Sequence, residues 1–148
     1  MIKFNSRQFK NPTERNNASF GFWFAITLLF IFIDQASKWY ASNNVPAIFL
    51  NDRFAFSIPL PVFLMYGLYL AVFLFVGNYL YKARQSLTSF EKYGWCLILA
   101  GGLSNLGERL VLGHVRDFIP ILNGILNFAD FFIIFGLVMV LLSQRHQK

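Results

Sequence analysis

Long stretches without a charged residue constrain this chain more than any other feature. A helix that crosses a bilayer needs about 20 mostly apolar residues. Four segments approach that requirement: Asn16 to Ile33 with a continuation to Tyr40, Phe54 to Tyr81 with Pro59 and Pro61 at its start, Tyr93 to Gly107, and about Ile125 to Gln144 with one acid. The pattern predicts an all-α membrane protein with four transmembrane helices.

The composition supports a membrane protein. Only 14% of the 148 residues are charged, whereas soluble domains average about 25%. A disordered chain, a disulfide scaffold and an ordinary soluble enzyme all fit poorly. The lone Cys96 excludes an internal disulfide and a zinc finger.

Basic residues indicate the orientation of the predicted helices. Nine lie on the side shared by both termini and the 82–92 loop, and four lie on the other side, which favours cytoplasmic termini. Because they flank apolar runs and form no basic segment, nucleic acid is not an expected partner. We predict a polar cytoplasmic tail at 1–19, one four-helix membrane domain at 20–144 and a second cytoplasmic tail at 145–148. A cleavable signal peptide is the alternative for the first run, but no A-x-A site follows it.

The loop between the first two predicted helices carries a weak strand pattern. Hydrophobic residues alternate at Ile48, Leu50, Phe54 and Phe56, which indicates a short strand or hairpin within residues 41–58. We therefore expect a small extracytoplasmic loop or β element there.

Five of the seven acids fall on the side opposite the termini, and Asp34 and Asp130 lie inside predicted helices. Ionisable residues at that depth usually face a partner or a wet cavity, so a functional site is the default hypothesis. Simpler explanations exist. Asp34 and Lys38 have the spacing of a helical ion pair, and Asn127 and Asp130 that of a helix cap. Arg109, four residues after Asn105, has the position of a side chain that reaches to the membrane surface.

Asp117 and Asp130 come from opposite ends of one short segment that re-enters the membrane. If the two carboxylates meet, they share one proton, because neither ionises easily while the other is charged. That is the arrangement of an aspartic protease.

Five short motifs resemble those of lipoprotein signal peptidases, the signal peptidase II family of membrane aspartic proteases. The resemblance covers roughly residues 22–142. The five are Asp34-Gln35-Ala36-Ser37-Lys38 for D-Q-x-[ST]-K, residues 51–57 for N-x-G-x-A-F-S, residues 101–109 for G-G-x-x-N-L-x-D-R, residues 113–119 for G-x-V-x-D-F-I, and residues 127–130 for the end of F-N-x-A-D.

The resemblance implies both activity and site. It implies cleavage of prolipoproteins just before a diacylglyceryl-modified cysteine, with Asp117 and Asp130 as the catalytic pair. Residues that support the site or hold the substrate would be Asp34, Lys38, Asn51, Asn105, Arg109 and Asn127. It also implies a multi-pass protein of the bacterial inner membrane that contacts lipid. We expect a monomer, and no metal or other cofactor.

Three positions depart from the family motifs: Arg53 replaces a glycine, Glu108 an aspartate and Leu126 a phenylalanine. These changes affect the substrate cradle more than the two aspartates. Two other functions remain open: a small proton-coupled transporter, and a non-catalytic relative that binds lipidated peptides. A transporter needs its acid near the midplane with access from both sides, whereas here the acids gather at one face.

Overall fold

The protein is predominantly helical in a computed structural model that describes residues 12–53, 58–122 and 124–145. The elements follow in the order α1 (Pro12–Asn44), β1 (Phe49–Asn51), α2 (Val62–Ala83), α3 (Ser89–Leu112), β2 (Val115–Asp117), β3 (Ile119–Ile121), β4 (Gly124–Leu126) and α4 (Phe128–Arg145). Phe54, Ala55, Phe56 and Ser57 of the predicted loop motif lie outside the described residues.

Local sequence signals account for the ends of α2 and α3. Pro61 precedes α2, and its fixed φ and missing N–H suit a helix start. Thr88 and Glu91 form a reciprocal capping box at the start of α3. Gly113 ends α3 in a left-handed conformation with φ 78°, and its N–H donates to the Arg109 carbonyl, as is usual for a C-terminal glycine.

The strands form two small antiparallel pairs near one end of the helices. β1 pairs with β2, with Phe49 opposite Asp117 and Asn51 opposite Val115. β3 and β4 form the hairpin that connects β2 to α4. The strand in the 41–58 loop therefore pairs with a segment far along the chain, and this pairing fixes Asn51 opposite the first residue of β2.

The fourth helix begins later than the sequence predicted. Ile125 and Leu126 belong to β4, and α4 starts at Phe128. The start predicted at about Ile125 was therefore wrong, and Asp130 lies in the first turn of the helix. The first helix begins earlier than the sequence predicted, because α1 starts at Pro12, inside the predicted 1–19 tail.

α3 and α4 approach closely because glycines face each other across their contact. A Cβ added at Gly101 would collide with the carbonyl oxygen of Ala129, and one at Gly136 would collide with that of Gly94. Small residues at such positions let helix backbones pack tightly in membranes. The close approach holds the start of α4 against the middle of α3.

Much of the helical surface is apolar and exposed. Phe63 is 74% exposed, Phe75 70% and Val111 81%, which is typical of surfaces that contact a partner or a membrane. The ranges Phe20–Asn44 and Val62–Ala83 are long and apolar enough to cross a bilayer, and Phe128–Gln144 is a shorter apolar helix.

Candidate active site

Asp117 and Asp130 lie at the two ends of the β3–β4 hairpin. Asp117 is the last residue of β2, and Asp130 is in the first turn of α4. The Asn127 side chain accepts a hydrogen bond from the Asp130 N–H (3.0 Å), and the Asp130 carboxylate accepts one from the Asn127 N–H (3.1 Å). These bonds are the predicted helix cap, so Asp130 has a structural role at this end of α4.

Asn127 also connects the two carboxylates. Its side-chain Nδ2 donates to Asp117 Oδ1, while its backbone N–H donates to Asp130 Oδ2. One residue therefore orients both acids. Since Asn127 is fully buried, water cannot easily replace it in either hydrogen bond.

Asp117 is buried, with 1% of its surface exposed. Its Oδ2 accepts a hydrogen bond from Asn51 Nδ2 at 3.0 Å. Burial is the largest cause that raises the pKa of the Asp117 carboxyl, the hydrogen bonds from Asn51 and Asn127 lower it, and the charge of Asp130 raises it; together these effects bring the pKa from 3.8 to about 6. Asp117 thus holds a proton at a higher pH than an ordinary aspartate does.

Asp130 is half-buried and receives a second donor from α3. Asn105 Nδ2 donates to Asp130 Oδ1 at 3.0 Å, and Asn105 Oδ1 accepts from Lys38 Nζ at 2.8 Å. The amide orientation of Asn105 is therefore fixed, since an ammonium group only donates. A continuous chain of hydrogen bonds runs from Lys38 to the Asp130 carboxylate.

Lys38 is fully buried and contacts two carboxylates. Its Nζ lies 2.8 Å from Asp34 Oδ2 and 2.9 Å from Glu108 Oε2. With Asn105, these partners occupy all three donors of the ammonium group. The predicted Asp34–Lys38 ion pair forms, but as part of a larger network.

Asp34 ties α1 to the two helices that carry the site. Its Oδ2 accepts from Ser104 Oγ at 2.7 Å, and its Oδ1 accepts from the Ala129 N–H at 2.8 Å. Ala129 precedes Asp130 in the first turn of α4. Asp34 therefore satisfies one of the free N–H groups at that helix start.

Glu108 connects the network to β2. Its Oε1 accepts from Arg116 Nε at 2.6 Å, while its Oε2 contacts Lys38. Arg116 directly precedes Asp117, so this ion pair anchors the strand that presents the first aspartate. The longer arm of glutamate lets one side chain reach both bases.

Arg109 does not reach to the membrane surface; that interpretation was wrong. The residue is 4% exposed, and its guanidinium donates to the Tyr69 hydroxyl (3.0 Å), the Asn105 carbonyl (3.3 Å) and the Arg53 carbonyl (2.8 Å). Its Nε is buried and has no hydrogen-bond partner among the described residues. Arg109 thus links α2, α3 and the loop after β1.

The polar side chains of the site and a set of apolar side chains together line a cavity of about 230 Å³. Its polar lining comprises Asn51, Asn105, Arg109, Asp117, Asn127 and Asp130, and its apolar lining comes largely from α2 and α3, including Leu68, Val72, Phe73 and Leu99. Both carboxylates therefore face a space that also suits a hydrophobic ligand.

The eight residues selected from the sequence converge in one region. Six of them line the cavity. Asp34 and Lys38 do not line it, and they form an ion pair with each other next to the residues that do. Sequence reasoning missed Ser104 and Tyr69. The Tyr66 hydroxyl donates to the Arg109 carbonyl at 3.1 Å. Tyr66 and Tyr69 lie one helical turn apart within an apolar run, and this spacing of two hydroxyl groups could have identified them from the sequence.

A sequence model of the family described as signal peptidase (SPase) II matches residues 26–145. The chain belongs to the signal peptidase II family. It is 30% identical to the lipoprotein signal peptidase of Acinetobacter baylyi, across 82% of this chain and 80% of that protein. It is 29% identical to the lipoprotein signal peptidase of Bartonella henselae, across 85% of this chain and 90% of that protein.

Solved structures support the fold of this signal peptidase II family member. A bacterial membrane enzyme determined by the in meso method at 1.9 Å resolution matches with a TM-score of 0.71 and 19% identity, across 84% of this chain and 92% of that chain. Another at 2.3 Å resolution matches with a TM-score of 0.69 and 18% identity, across 85% of this chain and 88% of that chain. Family membership makes the protein a membrane protease.

Proposed function

We propose that this protein is an aspartic endopeptidase that cuts diacylglyceryl-modified prolipoproteins just before the lipidated cysteine. The removal of signal peptides from prolipoproteins follows from the family and from relatives that match most of the chain. The observation that carries the aspartic mechanism is the convergence of Asp117 and Asp130 on one cavity, each held by asparagine donors.

The proposed reaction needs one proton shared between the two carboxyl groups. The ionised carboxylate takes a proton from water, whose oxygen attacks the carbonyl carbon of the scissile bond. The protonated carboxyl donates to the carbonyl oxygen as it gains negative charge. The intermediate then collapses and the C–N bond breaks: the leaving amine takes the proton that the first carboxylate received from water, and the hydroxyl of the intermediate returns its proton to the other carboxylate. The pair titrates as a unit, so neither residue is a fixed acid or base.

The surrounding residues would orient the pair and hold the substrate. Asn51, Asn105 and Asn127 donate to the two carboxylates, while Asp34 and Lys38 support the start of α4. Arg109 lines the cavity and its guanidinium is held by the Tyr69 hydroxyl and the Arg53 carbonyl, so it would place a positive charge beside the substrate peptide. No metal or organic cofactor enters this scheme.

We further propose that the four helices all span the bacterial inner membrane. Residues 20–144 would form one peptidase domain, with cytoplasmic tails at 1–19 and 145–148 and both termini in the cytoplasm. α3 has 24 residues and α4 has 18, so α4 reaches about 27 Å at 1.5 Å per residue, against a hydrocarbon core of about 30 Å. The working unit would be a monomer that contacts lipid.

The test is a gel-shift assay with purified protein and a diacylglyceryl-modified prolipoprotein. We expect Asp117→Asn and Asp130→Asn each to lower cleavage by about 10²–10⁴-fold, the usual contribution of a positioned acid or base. Asp52→Asn is the matched control, because Asp52 is an exposed acid at the same end of the molecule, and it should cleave normally.

Two results would contradict the proposal. Near wild-type cleavage by either variant would exclude the catalytic pair. Binding of a lipidated peptide by the unaltered protein without any cleavage would instead favour the non-catalytic alternative. Circular dichroism of each variant checks that helical content is retained.

A further inference from the structure

A second, larger cavity lies between α1, α2 and α3 at the end of the helices away from the two aspartates. Its volume is about 720 Å³, within the range of about 300–1,000 Å³ that small-molecule sites occupy. Its walls include Phe20, Trp23 and Phe24 of α1, Leu80 and Tyr81 of α2, and Trp95 of α3. We call it the basal cleft. Apart from Leu99, which lines both cavities, its lining residues lie outside the candidate active site.

Two basic side chains line the basal cleft. Arg84 donates to the Tyr81 carbonyl at 2.8 Å, and its guanidinium lies 4.3 Å from the centre of the Tyr81 ring. Lys92 lies one turn into α3, half-buried, and has no ion-pair partner within the described part of the chain. The cleft therefore combines aromatic walls with two positive charges.

Neither Arg84 nor Lys92 forms an ion pair with the side chains that the structure describes. The acid closest in sequence, Glu91, is buried and accepts hydrogen bonds from the backbone and side chain of Thr88. An anionic group is therefore complementary to the cleft.

The walls indicate which anion would fit. Trp and Tyr side chains are enriched at the boundary between lipid and water, and Trp23, Tyr81 and Trp95 all line the cleft. A molecule in the cleft would place an anionic head group against Arg84 and Lys92. Its hydrocarbon part would pack against the aromatic walls. We propose that the basal cleft binds an anionic phospholipid from the membrane leaflet at that end.

Such a lipid would bridge helices that have few other contacts there. Towards the active site α2 meets α3 through the hydrogen bonds of Tyr66 and Tyr69 with Arg109, and nearer the cleft Tyr79 packs on Trp95 with ring centres 5.2 Å apart. Beyond that contact the cleft separates α2 from α1. Since α2 also forms a wall of the active-site cavity, a bound lipid would steady that wall.

The test is native mass spectrometry of the purified chain in detergent. The protein is titrated with dioleoylphosphatidylglycerol, which is anionic, and with dioleoylphosphatidylcholine, which has the same acyl chains and no net charge. We expect tighter binding of the anionic lipid. Arg84→Gln and Lys92→Gln should each weaken it about 5-fold, and the double variant about 25-fold, from the usual contribution of one basic residue at an anionic membrane surface.

Lys82→Gln is the matched control, since Lys82 is an exposed base at the end of the same helix and does not line the cleft. It should bind both lipids as the unaltered protein does, and Arg84→Lys should retain anionic-lipid binding. Equal binding of the two lipids, or an equal loss in Lys82→Gln, would overturn the proposal. The binding readout is independent of proteolysis, so this proposal and the peptidase mechanism can fail separately.

Discussion

At the scale of single residues, Asn51 opposes the effect of burial on the ionisation of Asp117. Its Oδ1 accepts from the Arg53 N–H at 3.1 Å, which leaves Nδ2 to donate to the Asp117 carboxylate. A donor stabilises the ionised form of a carboxyl group, so this hydrogen bond lowers the pKa of Asp117. Burial raises the same pKa more strongly, with a balance of about 6.

Removing that donor should therefore raise the pKa of Asp117 further. In the proposed mechanism, activity falls on the alkaline side when the shared proton is lost. We expect Asn51→Ala to move the alkaline limb of the pH profile of kcat/KM upward by about one unit, since one unit corresponds to about 1.4 kcal/mol and a hydrogen bond to a charged group contributes about 1.5–3 kcal/mol. The measurement is cleavage of a lipidated prolipoprotein from pH 5 to about 9, a range that brackets the ordinary limbs of such profiles.

Asn43→Ala supplies the control for that shift. Asn43 is exposed, and its Nδ2 donates to the Trp39 carbonyl, away from the aspartates. Its pH profile should match that of the unaltered protein. An alkaline limb that stays in place or moves downward in Asn51→Ala would contradict the role assigned to this hydrogen bond.

At the scale of whole elements, the contact between α3 and α4 determines where Asp130 lies. Gly101 lies directly against the Ala129 carbonyl, one residue before Asp130. A methyl group at Gly101 must push this carbonyl away, and overpacking of this kind costs about 1–3 kcal/mol. We expect Gly101→Ala to unfold at a lower temperature and to lose about 10–100-fold in kcat/KM, because small displacements of reacting groups are costly.

Gly107 offers a matched comparison within the same helix. A Cβ added there meets nothing within 4 Å, and alanine in a helix is favoured over glycine by about 1 kcal/mol. Gly107→Ala should therefore retain activity and stability. The explanation fails if the two variants behave alike in thermal unfolding and in cleavage.

The boundary of α4 shows which part of an element the sequence could predict. The spacing of Asn127 and Asp130 indicates a capping box, and the structure contains one. The apolar run placed the helix start at about Ile125, because Ile125 and Leu126 are as apolar as the residues after them. Their side chains belong to the β3–β4 hairpin, and composition does not distinguish a short strand from a helix.

At the scale of the molecule, the sequence predicts which polar residues gather but not how they pair. The spacing of Asp34 and Lys38 predicts one ion pair, and that pair forms. Glu108 lies far from Lys38 along the chain, and only the packing of α1 on α3 brings their side chains to 2.9 Å. The pairing of β1 with β2 depends on tertiary structure in the same way.

Burial also changes which basic residues count toward the orientation of the helices in the membrane. Of the four bases at the active-site end, Lys38 and Arg109 are buried within the protein. Only Arg53 and Arg116 remain to oppose the nine bases that the sequence assigns to the other side. Because basic residues near helix ends favour the cytoplasm, the imbalance is larger than the sequence count of nine against four.

That imbalance predicts that the active-site end faces away from the cytoplasm. Two exposed residues mark the ends of the molecule: Asn44 closes α1 near the site, and Ser86 follows α2 at the other end. In a Cys96→Ala background, Asn44→Cys should react with a membrane-impermeant maleimide in intact spheroplasts, whereas Ser86→Cys should react only after detergent is added. Cys96→Ala alone should stay unlabelled. The reverse labelling pattern would place the aspartates on the cytoplasmic side, where they would not meet exported prolipoproteins.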